Sequence, residues 1–467
     1  MFSQAGGVIF QYNQRMPEAT SVSLRDLDIE HLWHGNLQHK DLKKRPPLEV
    51  ASAEGCYVFD TEGRRYLDAM AGLFCVNVGY GRKEIVNAVA KQMAELPYYP
   101  LTQSHGPAAR LAARVAGLLP KPLGRVFFSN SGSEAVETAL KMARQCSRRM
   151  HPGQNRYKVI ARHRGYHGFT MGALSATGQA PRRQAFEPLV PGFLHVAPPD
   201  HYRCGFCSAQ STCTLSCADE FERVIRMEAP ETVAAIIAEP VIGGGGILPD
   251  PEGYLARLRE ICDRHGVLLI VDEVITGFGR TGKLFGFEHS GIRPDILTFA
   301  KGLTSAYLPL GATVAAEHVF EAFEDDGGEA KFTQVSTFGG HPCSAAAALA
   351  NLDILTRERL WENSARLGGY LLEKLTALES PHIGEVRGRG LLIGLELVED
   401  QRSKTPLAEG RMIQLQRAFR ESGVLVGRNN DSVTGFCNVL ILSPPLILNR
   451  EQADVIISAI ESNIARV

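Results

Sequence analysis

The sequence predicts an α/β fold with a mostly parallel central sheet in a large domain and a smaller α+β domain built from both chain ends. The chain has 467 residues, of which 44% are hydrophobic, enough for two or three structural units with large cores. Between about residues 108 and 340, helical segments alternate with short apolar runs, which is typical of strands that a parallel sheet buries on both faces. These runs occupy residues 126–128, 158–161, 234–238, 267–271 and 296–300.

One helix of this region can be predicted in detail. Residues 251–265 place apolar side chains on a single helical face, and Gly266 provides a residue suited to the end of a helix. The run at 267–271 then begins at once, so the helix is expected to lead directly into a strand of the central sheet.

The two ends of the chain have a different pattern. Residues 47–68 predict short antiparallel strands around a turn at Glu62, Gly63 and Arg64. After residue 345, an alanine-rich helical stretch and a helix at about 361–379 precede strand patterns at 390–398, 424–426 and 439–442. We therefore expect an N-terminal part of the small domain at 1–70, the large domain at 71–345 and the C-terminal part of the small domain at 346–467.

Charge and hydropathy exclude nucleic acid and membranes as expected partners. Lys and Arg number 50 and Asp and Glu number 51, so the chain lacks the positive field that nonspecific binding of nucleic acid or anionic lipid requires. Apolar stretches end within about ten residues, short of the roughly 20 that a membrane span needs. The first 20 residues lack the pattern of a secretory signal, so we expect a cytoplasmic protein.

The segment 126–135 is an apolar strand followed by small residues that begin a helix. Ser131, Gly132 and Ser133 would place free backbone N–H groups and two hydroxyls at the helix start, where a phosphate group binds well. The same residues also fit an ordinary serine N-cap with an acidic first turn, which needs no ligand. This segment alone leaves both interpretations open.

Two other apolar runs lead into charged residues. Asp272 follows the run at 267–271, and Lys301 follows the run at 296–300. Ligands of open α/β sheets bind beyond the carboxyl ends of the strands, so we expect both side chains at one crevice. Either residue on its own would more often be a solvated loop charge.

A phosphate site, a carboxylate and a lysine at one sheet edge are the parts that a pyridoxal phosphate enzyme needs. The lysine amine forms a Schiff base, the carboxylate keeps the pyridine nitrogen protonated, and the helix N-terminus binds the phosphate. We therefore predict pyridoxal 5'-phosphate as the cofactor, with Lys301 and Asp272 as the catalytic residues.

The chain resembles the class III aminotransferases, which are pyridoxal phosphate enzymes of fold type I. The resemblance extends from about residue 30 to the C-terminus and rests on six motifs in the family's order. These motifs are SNSGSEA (129–135), GYHG (165–168), AEPV (238–241), VDEVITGFGRTG (271–282), FAKGLTSAYLPLGA (299–312) and STFGGHP (336–342).

The resemblance implies how the cofactor is held. Gly132 and Ser133 would bind its phosphate, Tyr166 would stack on one face of the pyridine ring, and Val274 would press on the other face. Lys301 would bind the cofactor and later move a proton between a substrate carbon and a cofactor carbon.

Further residues of the same motifs are expected in the cofactor site. Ser131, His167 and Glu239 are assigned to it by their places in SNSGSEA, GYHG and AEPV. Thr337 resembles a residue that reaches the cofactor phosphate of a neighbouring subunit, which implies a homodimer, or a tetramer built from such dimers.

The resemblance also suggests which residues contact the substrate. Tyr166 and Phe74 match positions that line the substrate pocket, although Phe74 equally fits plain core packing. Arg428 resembles a mobile arginine that receives the substrate carboxylate, with Glu239 as its acidic partner in some relatives. Arg428 lies one residue later than the usual pattern, and a one-residue slip reverses the face of a strand side chain, so an exposed loop charge is the alternative.

A short cysteine-rich stretch departs from the family core. It resembles an insert of taurine:pyruvate-type members, which favours an omega-amino donor and pyruvate as acceptor. The spacing fits a tetrahedral zinc site, buried thiols or disulfides, of which disulfides are disfavoured in a reducing cytoplasm. We assign no metal ligand among the expected site residues. The four cysteines are Cys204, Cys207, Cys213 and Cys217, whereas Cys75, Cys146 and Cys262 are expected to be buried packing residues.

The sequence therefore predicts an aminotransferase that moves the amino group of an omega-amino acid or amine, such as taurine or beta-alanine, to pyruvate. The same scaffold supports 4-aminobutyrate or ornithine:2-oxoglutarate aminotransferases, 2,1-aminomutases and decarboxylating transaminases, which remain the alternatives.

Overall fold

The computed structural model describes residues 22–44, 46–207, 212–324, 330–430 and 432–466. The chain divides into two compact units, one within residues 1–52 and 59–64 and the other within 53–58 and 65–467. The expected domain boundary after residue 345 is not a boundary between these units, so the three-part division stays a prediction. The first 20 residues, in which we expect no secretory signal, lie outside the described residues.

The elements are as follows. The strands are Val50–Glu54 (β1), Tyr57–Asp60 (β2), Arg65–Asp68 (β3), Leu123–Ser129 (β4), Lys158–Arg162 (β5), Phe193–Val196 (β6), Val233–Ala238 (β7), Val241–Ile242 (β8), Leu248–Pro249 (β9), Leu268–Asp272 (β10), Ile296–Phe299 (β11), Gly311–Ala316 (β12), Ile383–Gly388 (β13), Ile393–Asp400 (β14), Thr405–Pro406 (β15), Val424–Leu425 (β16), Gly427–Arg428 (β17) and Val439–Leu442 (β18). The α-helices are Leu24–His31 (α1), His39–Leu42 (α2), Ala71–Phe74 (α3), Lys83–Glu95 (α4), Gly106–Leu118 (α5), Gly132–Met150 (α6), Met171–Ala176 (α7), Ala180–Arg183 (α8), Ser216–Met227 (α9), Tyr254–His265 (α10), Glu317–Glu321 (α11), Pro342–Arg357 (α12), Leu360–Thr376 (α13), Glu409–Glu421 (α14) and Arg450–Ile464 (α15).

The large unit is built on a central seven-stranded sheet in the order β4-β12-β11-β10-β7-β5-β6. Strand β10 runs parallel to β7 and β11, and β5 runs parallel to β6 and β7. Every residue of β7 and β10 is buried, as the apolar runs predict. The mostly parallel sheet is therefore confirmed.

Strand β12 is the exception, because it runs antiparallel to both β4 and β11. The link between β11 and β12 contains a 3-10 turn, Lys301–Leu303, and no α-helix, so it is too short for the crossover that a parallel partner needs. The sequence did not predict this strand.

Helix α10 differs from its prediction only at the start. It ends where expected, because Gly266 adopts the left-handed conformation with φ of 60°. It begins at Tyr254 rather than at Pro251, because Gly253 has φ of 79° and cannot continue a helix.

A second sheet in the large unit has the order β13-β14-β18-β17, with antiparallel pairing throughout. Strand β16 pairs in parallel with β3, so strands from opposite ends of the chain lie side by side. This pairing agrees with a small α+β part assembled from both ends. Among the described residues, no helix has the length and apolar character needed to cross a membrane.

Candidate active site

A cavity of about 320 Å³ lies where β10 and β11 end and α6 begins. The parallel pairing of β10 with β11 sets Asp272 beside Thr298, so the carboxyl ends of both strands open on the same crevice. The residues predicted for the cofactor site that line this cavity are Ser131, Gly132, Ser133, Tyr166, His167, Glu239, Asp272, Val274 and Lys301.

Asp272 is buried and held by three hydrogen bonds. Its Oδ1 accepts from the backbone N–H of Val274 at 3.0 Å and from the hydroxyl of Thr298 at 3.0 Å. Its Oδ2 lies 2.7 Å from Nδ1 of His167. These contacts orient a carboxylate inside the cavity, as a partner for a protonated ring nitrogen requires.

His167 lies between two carboxylates. Its Nε2 is 3.7 Å from Oε2 of Glu239, on the side of the ring away from Asp272. Burial alone would lower the pKa of His167, but Glu239 and Asp272 together raise it above the ordinary value. With hydrogen on Nδ1, the imidazole donates to the Asp272 carboxylate.

Lys301 stands on a strained turn directly after β11. Its φ of 39° is unusual for a residue with a side chain, and Ser305 and Ala306 also have positive φ values of 50° and 61°. Burial lowers the pKa of Lys301, while the nearby Cys75 and Asp272 act in the opposite direction. A lysine with a lowered pKa can accept a proton near neutral pH, as a general base must.

The start of α6 has room for a ligand but not for a larger residue. A Cβ atom at Gly132 would lie 2.8 Å from Cγ1 of Val274 and 3.6 Å from Cβ of Ala300. The first backbone N–H groups of a helix have no partner within the helix, so they can donate to a phosphate here. The glycine keeps this approach open beside the branched side chain that is expected against the ring.

Ser131 and Ser133 also make hydrogen bonds that stabilise the local backbone. Ser131 is the N-cap of α6, since its Oγ accepts from the backbone N–H of Glu134 at 3.2 Å. Ser133 Oγ accepts from the backbone N–H of Phe169 at 3.1 Å. The N-cap interpretation is thus correct, and it is compatible with a phosphate site at the same helix end. Taken together, the residues of the cavity fit pyridoxal phosphate.

Two residues predicted at the substrate pocket do not line this cavity. Phe74 is 7% exposed and packs in an apolar cluster with Val241 and Leu392, as the packing alternative states. The side chain of Arg428 is 8% exposed, and its Nη1 lies 3.3 Å from Oε1 of Glu409. The exposed-charge alternative is therefore wrong for Arg428.

Glu239 and Thr337 have partners that the sequence did not indicate. Glu239 accepts from the backbone N–H of Tyr166 at 2.9 Å, and its Oε2 lies 3.1 Å from Nη2 of Arg162, so its cationic partner here is not Arg428. Thr337 is exposed and does not line the cavity, and its carbonyl accepts from the hydroxyl of Tyr98 at 2.9 Å. A role for Thr337 in a neighbouring subunit stays a prediction.

Arg162 and Asp250 extend the buried network behind the cavity. Arg162 is fully buried, and its Nη1 lies 2.6 Å from Oδ1 of Asp250. The sequence offered a signal for Arg162, because it ends the apolar run 158–161 in the way that Asp272 ends its own run. Asp250 lies after the short strand β9 and has no such signal.

Cys75 lines the cavity, whereas the sequence suggested a buried packing residue. Its side chain is only partly buried, and its Sγ donates to the carbonyl of Leu73 at 2.9 Å. Burial raises the pKa of the Cys75 thiol, and the charge of Lys301 opposes this. The thiol is therefore a neighbour of Lys301.

The cysteine-rich stretch contains thiols rather than disulfides. The backbone N–H of Cys207 donates to Sγ of Cys204 at 3.3 Å, and Sγ of Cys207 lies 3.3 Å from the hydroxyl of Thr214. All ten cysteines of the chain are free. Within the described ranges, no group of three or more His, Cys, Asp or Glu side chains is arranged to hold a metal ion.

Comparisons with known proteins agree with this geometry. The Aminotransferase class-III family matches residues 40–464. An uncharacterized aminotransferase of Bacillus subtilis is 49% identical over 94% of this chain and 96% of its own length. The taurine–pyruvate aminotransferase of Bilophila wadsworthia is 42% identical over 93% of this chain and 95% of its own length.

Solved structures show the same fold. An amine transaminase from an uncultivated Pseudomonas species, solved with pyridoxal phosphate bound, superposes with a TM-score of 0.89. It is 39% identical, and the match covers 94% of this chain and 99% of that one. This chain therefore belongs to the class-III aminotransferases, pyridoxal phosphate-dependent transaminases of fold type I.

Proposed function

We propose that this transaminase takes the amino group of an omega-amino acid, such as taurine or beta-alanine, and transfers it to pyruvate. The observation that carries the proposal is that Lys301 and Asp272 line one cavity beside the open start of α6. Support for the substrates comes from relatives described as taurine–pyruvate or hypotaurine/taurine–pyruvate aminotransferases, which are 40–42% identical to this chain.

Each residue of the cavity would have a separate role in the reaction. Pyridoxal phosphate, when bound, supplies a carbon that accepts the amino group and a ring that withdraws electrons. Asp272 would hold a proton at the ring nitrogen, and His167 would keep the Asp272 carboxylate in place. Tyr166 and Val274 would hold the ring flat between them. Lys301 Nζ would remove the proton from the donor carbon and return it to the accepting carbon.

The role of Lys301 can be tested chemically. Reduction of the holoenzyme with borohydride, followed by digestion and mass spectrometry, should find the cofactor attached to Lys301 Nζ. The Lys301→Ala variant should carry no attached cofactor, and its turnover should fall by about a thousandfold or more. Attachment to a different lysine would disprove the assignment.

The substrates can be tested with half-reactions. Holoenzyme is mixed with one amine at a time: taurine, beta-alanine, 4-aminobutyrate, ornithine or 1-phenylethylamine. We expect taurine or beta-alanine to remove the visible absorbance of the lysine-bound cofactor, and pyruvate but not 2-oxoglutarate to restore it. Recovery with 2-oxoglutarate, or no response to either amine, would contradict the proposal.

We also propose that two copies of the chain form a homodimer. Support comes from an apolar patch of exposed side chains around Thr337, in which the rings of Tyr98 and Phe338 lie 5.8 Å apart. The patch consists of Tyr98, Tyr99, Leu101, Val335 and Phe338. Light scattering of the purified protein should give twice the mass of one chain, and Phe338→Glu should give single chains with weaker cofactor binding.

A cytoplasmic location is the last part of this proposal. It is supported by ten free cysteines, since thiols persist in a reducing compartment. Fractionation of cells that express the tagged protein should find it in the cytosol, and recovery from a secreted or membrane fraction would contradict this location.

A further inference from the structure

Arg182 lies beside the aromatic side chain that faces the cofactor site. Its guanidinium carbon is 5.6 Å from the ring centroid of Tyr166 and 5.8 Å from that of Phe169. Tyr166 lines the cavity together with Lys301, and Phe169 is 44% exposed. Arg182 therefore places a positive charge at the edge of the reaction site, and an arginine stays charged at any ordinary pH.

The guanidinium of Arg182 makes few hydrogen bonds. Arg182 belongs to the short helix α8, and its Nη2 donates to the backbone carbonyl of Asn430 at 2.8 Å. Its Nε is buried and has no hydrogen-bond partner in the part of the chain that the structure describes. Because one backbone carbonyl is the only acceptor that it has among the described residues, the guanidinium keeps N–H donors for an incoming anion.

Two other arginines differ from Arg182 because carboxylates neutralise them. Arg162 pairs with Asp250, and Arg428 has Oε1 of Glu409 at 3.3 Å from its Nη1. For Arg182, no carboxylate within ion-pair distance occurs among the described residues. An unmatched arginine next to a cavity that takes small charged substrates is suited to bind an acid group as a bidentate pair.

We propose that Arg182 binds the acid group, sulfonate or carboxylate, at the far end of the amine donor. The inference rests on the proposed function, because only a donor with such a group would use this contact. The aromatic faces of Tyr166 and Phe169 cover the apolar side of the guanidinium, so its N–H edge remains for the anion. Arg182 thereby determines specificity for omega-amino acids over plain amines.

The test compares donors that carry an acid group with one that lacks it. In Arg182→Gln, we expect the KM for taurine and beta-alanine to rise about tenfold or more, because a charged hydrogen-bond pair is lost. The KM for 1-phenylethylamine should not change, and Arg182→Lys should recover part of the loss. A merely structural role would change both donor types equally, and that result would overturn the inference.

The matched control is Arg183→Gln, which removes the same charge one residue away. Arg183 faces His195, with Nη1 3.2 Å from Nδ1, and lies 4.0 Å from Glu187. This variant should keep the wild-type preference between the two donor types. An equal loss of preference in Arg183→Gln would show a general charge effect and would overturn the assignment to Arg182.

A binding measurement separates this inference from the proposed function. Ethanesulfonate carries the acid group of taurine without its amine, so calorimetry of the holoenzyme measures the contact without turnover. We expect wild type to bind it about tenfold or more tightly than Arg182→Gln. Equal binding would overturn the role of Arg182 even if taurine is a substrate, whereas lack of taurine turnover in wild type would reject the proposed function itself.

Discussion

Nδ1 of His167 lies 2.7 Å from Oδ2 of Asp272, while the other ring nitrogen faces Glu239. The imidazole thus stands between the carboxylate expected at the cofactor ring and a second carboxylate behind it. Burial opposes the charged form of His167, but the two acids outweigh it and raise the pKa of the imidazole. We therefore expect His167 to position Asp272.

Removal of this imidazole should leave the Asp272 carboxylate less firmly oriented, while the protein stays folded. For His167→Phe we expect kcat to fall by about tenfold to a hundredfold, because a hydrogen bond to a charged group contributes about 1.5–3 kcal/mol. His167→Asn retains an N–H donor and should recover part of the rate. Steady-state kinetics at saturating cofactor measure the effect, and equal rates for both variants would argue against the hydrogen bond as its cause.

Gly132→Ala should damage cofactor binding through a steric clash. The new Cβ would lie 2.8 Å from Cγ1 of Val274, so the start of α6 or Val274 must shift. We expect the Kd of the apoenzyme for pyridoxal phosphate, measured by absorbance titration, to rise about tenfold or more. Gly117→Ala is the control, because nothing lies within 4 Å of a Cβ there. An unchanged Kd in Gly132→Ala would refute the close approach.

Arg162→Met should destabilise the fold strongly. The variant leaves Asp250 and Glu239 buried without their cation, and breaking a buried ion pair costs about 3–5 kcal/mol. Arg125→Met, which breaks an exposed pair with Glu317, should cost far less. Denaturant unfolding of the two variants gives both free energies, and similar losses would mean that the Arg162 network is not buried in solution.

Stability should fall in acid partly because of His195. Burial, with Arg183 adding repulsion, lowers the pKa of His195 to about 3, whereas an unfolded histidine titrates near 6.5. The unfolded chain therefore binds the proton first, so this stabilisation is complete above about pH 6.5 and is lost as the pH falls toward 3. His195→Asn should show a smaller decrease in Tm between pH 7 and pH 5 than wild type. The exposed His31 provides the control, since His31→Asn should leave the decrease unchanged.

Local pattern predicted that Asp272 and Lys301 lie at one cavity, and the structure places both there. Asp272 and Lys301 each follow an apolar run, and strands that run parallel bring their carboxyl ends to the same edge. The same rule would have found Arg162, which ends β5. Strand β12 was not predicted from the sequence. The link before it lacks the helix that a parallel crossover requires, and composition does not indicate that the strand reverses direction.

The sequence by itself determined the fold class, the family and many of the residues that line the cavity, because periodicity, motif order and strand-end position are local properties of the chain. Only the tertiary structure decided the partners of these residues. Glu239 meets Arg162 rather than Arg428, and Phe74 packs into an apolar cluster rather than lining the cavity. Such contacts join elements that are far apart in sequence, so they depend on how helices and strands pack and on the direction of each side chain, which no local pattern records.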